Sequence, residues 1–287
     1  MANTQALRRR IRSVRSTQQI TRAMKMVAAA RFRRAQERVL ETRPYGNALE
    51  AVLRSVASRV SPERYPLLEE GEERHVTLVV VTSDKGLCGA FNANVLREAI
   101  NLLGGGRWEH VDLVLIGRKA IEFFRHRGIA AFAVYPDLMS RVTPETAEGL
   151  AHTLAERFAT REVDAVYWLA NRFRSIIQQK AVLTRLFPLE RSALAGGTTA
   201  VDYLYEPSPG VLLDHLLRRF AEFQVLTTLL SSLAAEHAAR MTAMEAATKN
   251  AGELIDSLNL TYNRVRQASI TKELIEIVSG AQALGGS

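Results

Sequence analysis

Cysteine is nearly absent: Cys88 is the single one in 287 residues, so no disulfide can close within the chain and nothing calls for an oxidising compartment. Long apolar runs are missing too. The longest are stretches such as Val76 to Val81, far short of the roughly eighteen residues that a membrane span needs. The Arg-rich first residues have no apolar h-region, which argues against a secretory leader. The same basic, helical pattern continues to about residue 43, which argues against an organellar transit peptide. The six histidines, at 75, 110, 126, 152, 215 and 237, show no metal-ligand spacing. Phosphate-binding motifs are also lacking. The turn Ser83-Asp84-Lys85-Gly86-Leu87-Cys88-Gly89-Ala90-Phe91-Asn92 stands where such loops occur, after an apolar strand-like run. It has neither the third Gly of a dinucleotide fingerprint nor the Gly-Lys-Ser/Thr ending of a P-loop. It reads as a tight strand-to-helix turn, with Cys88 an inert thiol because no His lies near it in sequence. No acid and base pair stands out, so no catalytic residue, cofactor or metal is expected.

Proline and glycine are scarce in two long segments. Residues 5 to 60 contain only Pro44 and Gly46 and are rich in Ala, Arg, Gln and Leu, which predicts a long helix, kinked or interrupted at Pro44 and stopping at Ser61-Pro62. Leu7, Ile11 and Val14, then Ile20, Met24 and Val27, then Ala28, Phe32, Ala35 and Val39 recur at three- and four-residue spacing, with a stripe that drifts around the helix. A loop marked by Gly196, Gly197, Pro207, Pro209 and Gly210 precedes a second long segment, free of Pro and, before Gly280, interrupted only by Gly252. There Leu226, Leu230, Leu233, Met244, Ala247, Ala251, Leu254, Leu258 and Val265 approximate a heptad seam, with His237 and Arg240 as polar interruptions. At about 1.5 Å per residue the two helices reach about 85 Å and about 110 Å, too long to wrap a compact domain. They are expected to project from one as an antiparallel pair.

Between them the period changes. The β-branched run His75 to Thr82, and the later runs Val111 to Ile116, Ile129 to Val134, Val163 to Leu169 and Gln178 to Leu189, read as strands. Helical patterns over Phe91 to Leu103, up to Arg127 and over Pro144 to Thr160 separate the first four. The fold class is therefore α/β, a Rossmann-like domain over 75–195, with helical segments over 1–60 and 210–287 forming a long antiparallel coiled coil.

Charge is unevenly spread. Residues 1 to 60 hold fourteen Lys and Arg against three Glu, a surplus of eleven that exceeds the whole chain's +8, so the remainder is slightly negative. A basic arm of this kind calls for an acidic partner surface. A basic coiled-coil nucleic-acid binder is the alternative function, but the arm holds only Phe32 and Tyr45 as aromatics, too few for a stacking platform. A nucleotide-using α/β enzyme would need the missing phosphate loop.

The arm from Arg8-Arg9-Arg10-Ile11-Arg12-Ser13-Val14 through Thr17-Gln18-Gln19-Ile20-Thr21-Arg22-Ala23-Met24-Lys25-Met26-Val27-Ala28-Ala29 resembles the amino-terminal helix of F-type ATP synthase gamma subunits. The turn Ser83 to Asn92 is similar to that family's first strand-to-helix turn, and Ile270 to Ala283 to its carboxy-terminal signature, with Glu273, Glu276, Gly280 and Ala281 in place. The resemblance covers both ends and the first turn, whereas about residues 100 to 205 carry little of it.

It implies a non-catalytic central stalk in a rotary motor for ATP synthesis. The helical shaft would lie inside a hexamer of alpha and beta subunits, and the foot would bind the epsilon subunit and the c-ring. Ring rotation under an ion gradient would drive each beta subunit through its conformational cycle. The implied location is peripheral, at the cytoplasmic face of a bacterial plasma membrane, with no nucleic acid bound. The regulatory dithiol inserted in plastid members is absent, so thiol control is not implied. Family coupling contacts fall on Met24, Arg240, Gln267, Thr271 and Glu273. The apolar end of the last helix, Leu274, Ile277, Val278, Ala281 and Leu284, is expected to overhang the first from about Lys272 and to serve as a bearing tip.

Overall fold

The computed structural model describes residues 2–57, 65–173, 179–190 and 208–285. The expected loop residues Gly196, Gly197 and Pro207, the stop at Ser61-Pro62 and the strand start at Gln178 lie outside them. The chain divides into two compact units, Ala28–Arg240, and Met1–Val27 with Met241–Ser287. Two long helices, α1 (Ala2–Ala57) and α5 (Pro209–Gly285), contribute to both.

The larger unit is built on a five-stranded sheet of β1 (His75–Val81), β2 (His110–Ile116), β3 (Ala133–Tyr135), β4 (Ala165–Phe173) and β5 (Gln179–Phe187), in the order β3-β2-β1-β4-β5. The first four are parallel and β5 returns antiparallel to β4. Three helices, α2 (Phe91–Gly104), α3 (Arg118–His126) and α4 (Pro144–Ala159), fill the connections. The continuous apolar run of β1 follows from burial on both faces. Val76, Leu78 and Val80 meet Val95 of α2 and Phe124 of α3, whereas Val79 and Val81 meet Leu154 of α4 together with Leu53 of α1 and Leu217 of α5.

Half of each long helix is thus core, which corrects the expectation that both project whole from the domain. Pro44 neither ends nor divides α1. Leu49, Leu53 and Val56 beyond it are buried, and that apolar burial offsets the backbone hydrogen bond which proline cannot donate. Gly46 is required nearby, because a Cβ there would stand 2.2 Å from the Phe223 ring of α5. Gly117, at φ +89°, lets the β2–α3 turn approach the Thr82 carbonyl, which a Cβ would meet at 2.2 Å. α4 is started by Thr143 and Thr146, each hydroxyl accepting from the other's backbone N–H, with Pro144 in the first turn.

The smaller unit is an antiparallel helix pair. Residues 4, 7, 11, 14, 18, 21 and 25 of α1 and 241, 244, 248, 251, 255, 258, 262, 265 and 269 of α5 form its seam, with Met24, Ala243, Ala247, Gly252 and Asn259 partly covered beside it. Both series step three and four residues in strict alternation, which is a heptad seam. This corrects two expectations. The stripe does not drift, and Ile20, Val27 and Leu254 are not in it: they are exposed. Gln18, Thr21 and Lys25 hold the α1 seam in their stead. The Thr248 hydroxyl donates to that of Thr21 at 2.7 Å, and Lys25 pairs with Glu245 at 2.5 Å. Apolar packing resumes at Ile11, Ile255 and Leu258, and Arg8 donates to the Tyr262 hydroxyl at 2.7 Å.

A filled crevice and an outward apolar stripe

In an open α/β sheet, ligands bind outside the carboxyl ends of the strands where the strand order reverses. Here that point lies between β1 and β4, and in the larger unit α5 fills it. Ala235 and Ala239 pack on Cys88 and Phe91 just after β1, and on Phe173 at the end of β4. Ala234 and Ala238 pack on Phe32 and Ala35 of α1. Four alanines at this spacing let three elements approach closely.

The turn after β1 is spent on its own architecture. Ser83 N–H donates to Asn92 Oδ1 at 3.0 Å, and Asn92 Nδ2 donates to Ser83 Oγ at 2.8 Å. Asp84 accepts from the backbone N–H groups of Arg118 and Asp137 and from Ser140 Oγ. The Lys85 and Gly86 carbonyls accept from Arg240 Nη2 at 3.1 and 3.3 Å. Leu87, at φ +62°, is left exposed. Burial pushes the Cys88 thiol up, against the lowering pull of Ser83 and Arg240. Among the described residues no group of His, Cys, Asp and Glu could hold a metal ion, and no helix is long and apolar enough to cross a membrane.

Arg240 is the centre of this clasp. Its Nη2 also donates to Glu236 Oε1 at 2.7 Å, and both side chains are nearly covered, at 11% and 7% exposure. Burial raises the Glu236 carboxyl above the usual range, and Arg240 opposes that shift. Burial, reinforced by the Arg240 and Arg31 guanidiniums, pushes His237 down to about 4. Unfolding returns the ring to about 6.5. Between those values the unfolded chain binds the extra proton, so stability present above about pH 6.5 is lost as pH falls toward 4, by about 2 to 3 kcal/mol. Glu236 acts with the opposite sign, because its raised value makes ionisation costly as pH rises. Urea unfolding at pH 7 and pH 5 should therefore show a drop about 2 kcal/mol smaller in His237→Gln than in the parent. Equal drops would remove His237 as the sensor.

The residues of the expected coupling surface fall in three settings. Met24 is half-buried beside the seam, and Arg240 belongs to the clasp. Gln267, Thr271 and Glu273 are exposed, with Ser269 Oγ 3.2 Å from Glu273 Oε1. Of the expected tip, Leu274, Ile277 and Val278 are 56%, 67% and 55% exposed, while the side chains of Ala281 and Leu284 lie outside the described ones. Sequence reasoning missed a second exposed group, Ile20, Met26 and Val27, which lies off the seam. A strict heptad count would have separated it from the seam.

An α/β unit whose usual ligand crevice is filled by its own helix, together with a heptad-paired helix unit bearing apolar residues outside its seam, defines an α/β protein with an antiparallel coiled coil. Residues 3–284 match the family described as ATP synthase. The ATP synthase gamma chain of Anaeromyxobacter dehalogenans (strain 2CP-C) is 47% identical over 289 residues, covering 99% of this chain and 100% of that one. That of Solibacter usitatus (strain Ellin6076) is 48% identical over 281 residues, covering 96% and 97%. Among solved structures, the central stalk and c-ring of Tetrahymena thermophila mitochondrial ATP synthase contains a chain 27% identical, with a TM-score of 0.60, covering 79% of this chain and 99% of that one. A chain of Euglena gracilis mitochondrial ATP synthase, at 20% identity, TM-score 0.67 and coverage of 99% and 95%, shares the fold. The chain belongs to the ATP synthase gamma-chain family and is a subunit type of that enzyme complex.

Proposed function

We propose that the chain is the central rotor stalk of an F-type ATP synthase, peripheral to the cytoplasmic face of a bacterial plasma membrane and without catalytic residues of its own. Its shaft, drawn from residues 1–60 and 210–287, turns inside an alpha-beta hexamer, and its foot, within 75–195, engages the epsilon subunit and the c-ring. The observation that carries this reading is exposed apolar surface on the long helices: Ile20, Met26 and Val27 on α1 outside the seam, and Leu274, Ile277 and Val278 on α5 beyond its end. A helix pair whose seam is closed needs no further apolar residues, so these call for a sheath. Because that surface differs around the shaft, it binds the conformers of a surrounding ring unequally, and only unequal binding shifts a conformational equilibrium. Met24, Gln267, Thr271 and Glu273 are its coupling contacts, and Arg240 acts by holding the turn at Lys85 and Gly86.

Co-purification should recover alpha, beta, epsilon and c subunits, and the chain alone should hydrolyse no ATP. The sharper test is Met24→Lys. A cation at this half-buried position, facing carboxylates of a partner, would form a contact of about 1 kcal/mol or more that favours one rotary position. ATP hydrolysis should persist while protons pumped per ATP in inverted vesicles fall several-fold. An unchanged pumping ratio would remove Met24 from the coupling surface.

A further inference from the structure

The smaller unit is electrostatically one-sided. Its α1 segment, up to Val27, holds seven cations and no acid, whereas residues 241–270 of α5 hold three charges of each sign. Five of the seven, Arg8, Arg9, Arg10, Arg12 and Arg15, fall within eight residues and are exposed. Like charges three or four residues apart on a helix repel, and Arg12 stands in that relation to Arg8, Arg9 and Arg15 at once. The first turn of α1 carries no acidic residue to offset the positive end of the helix dipole, and none occurs before Glu37. Nor does α5 relieve the crowding. Its Glu253 and Asp256 are balanced by Arg264 and Arg266, and Glu253 already pairs with Lys249 at 3.9 Å.

The hold that opposes this repulsion is small. Leu7, Ile11 and Val14 pack on Ile255, Leu258 and Tyr262, and Arg8 donates to the Tyr262 hydroxyl. Along α1 no apolar seam residue follows Val14 in this unit. A polar layer comes next, Gln18, Thr21 and Lys25 against Thr248 and Glu245, with Gly252 beside it weakening α5 locally. The apolar contacts of the arm can therefore be lost without disturbing those beyond the layer.

We propose that residues 4–17 form an electrostatic latch. While its arginines are unneutralised this arm parts from α5, hinging at the polar layer, and it closes into the paired form when an acidic surface lies against it. Ordering of the arm is then coupled to assembly, so that the free subunit does not present a finished shaft. That the acidic surface belongs to a surrounding ring rests on the function proposed above, whereas the latch itself is a property of the chain alone.

Amide hydrogen exchange on the full chain without partners tests this. At low salt, protection factors over residues 4–17 should lie about tenfold or more below those over 18–28. They should rise several-fold in about 0.5 M sodium chloride, which screens exposed charges, and on addition of poly-glutamate but not of neutral polyethylene glycol. Arg12→Glu turns three repulsive pairs into attractive ones without touching the seam, and should raise protection of the arm about tenfold, with Arg12→Gln between. Leu258→Ala should lower it further and leave residues 28–57 unchanged. Ordinary fraying of a helix end does not respond to charge in this way. An arm as protected as residues 18–28, or one whose protection Arg12→Glu leaves unchanged, would overturn the latch. Charge-sensitive opening in a chain that recovers no alpha or beta subunit on co-purification would keep the latch and remove the rotor reading instead.

Discussion

Arg240→Ala should destabilise the isolated chain by about 3 to 5 kcal/mol, the usual loss when one member of a buried ion pair is removed. Two penalties combine. Glu236 is left as a carboxylate at 7% exposure, and the Lys85 and Gly86 carbonyls lose their side-chain donor. The carboxyl, already raised by burial, would rise further and take up a proton, which limits the loss at neutral pH. A double variant with Glu236→Gln should recover much of the stability, because a neutral amide tolerates burial better than an unpaired charge. Arg240→Lys should fall between, since an ammonium cannot serve two carbonyls and a carboxylate with one planar fork. Thermal unfolding of the chain free of partners separates two roles for this residue. If Arg240→Ala unfolds with the parent, the clasp contributes nothing and any effect in the assembled complex arises at a partner surface.

The sheet was legible because burial on two faces writes itself as unbroken β-branched runs. His75 to Thr82 and Val111 to Ile116 were readable to within one residue of β1 and β2. The seam of the helix pair was less so. Ile20 and Val27 are apolar at helical spacing, and nothing in their own chemistry says that Gln18, Thr21 and Lys25 face α5 in their place. The reason emerges only from the partner strand of the pair: Thr248 and Glu245 supply the hydroxyl and carboxylate that make those polar positions tolerable. The clasp was hidden for a related reason. A polar interruption at Arg240 reads as a solvated break in a heptad, and its real neighbours, Lys85 and Gly86, lie 155 and 154 residues away in sequence. Pro44 misled in the opposite direction, since a local helix breaker was overridden by the buried Leu49, Leu53 and Val56 that follow it.

Deleting Ile277 to Ser287 should weaken assembly strongly yet leave part of the coupled activity. The pairing of Thr21 with Thr248 and of Arg8 with Tyr262 fixes the register, and continued to its end it sets the start of α1 opposite about Ser269. Beyond that point no described helix of the smaller unit lies beside α5. Ile270, Leu274, Ile275, Ile277 and Val278 are accordingly all exposed, between 49% and 67%. In our reading an apolar sleeve at the far end of the alpha-beta hexamer covers them and acts as a bearing. An apolar sleeve suits rotation because the hydrophobic effect is non-directional: it holds the shaft on axis without hydrogen bonds that would favour one angle. Losing Ile277 and Val278 alone forfeits about 3 kcal/mol of burial, roughly a hundredfold in association. On the proposed function torque is taken lower on the shaft, at the seam-flanking surface near Met24, so complexes that do assemble should still hydrolyse ATP and turn, at reduced efficiency. The decisive measurement is cross-linking from a cysteine placed at Leu284, in a chain where Cys88 is buried and does not compete. A product with alpha or beta supports the sleeve. A tip that forms no product with either, or a structure of the complex in which it stands in solvent, would sink it.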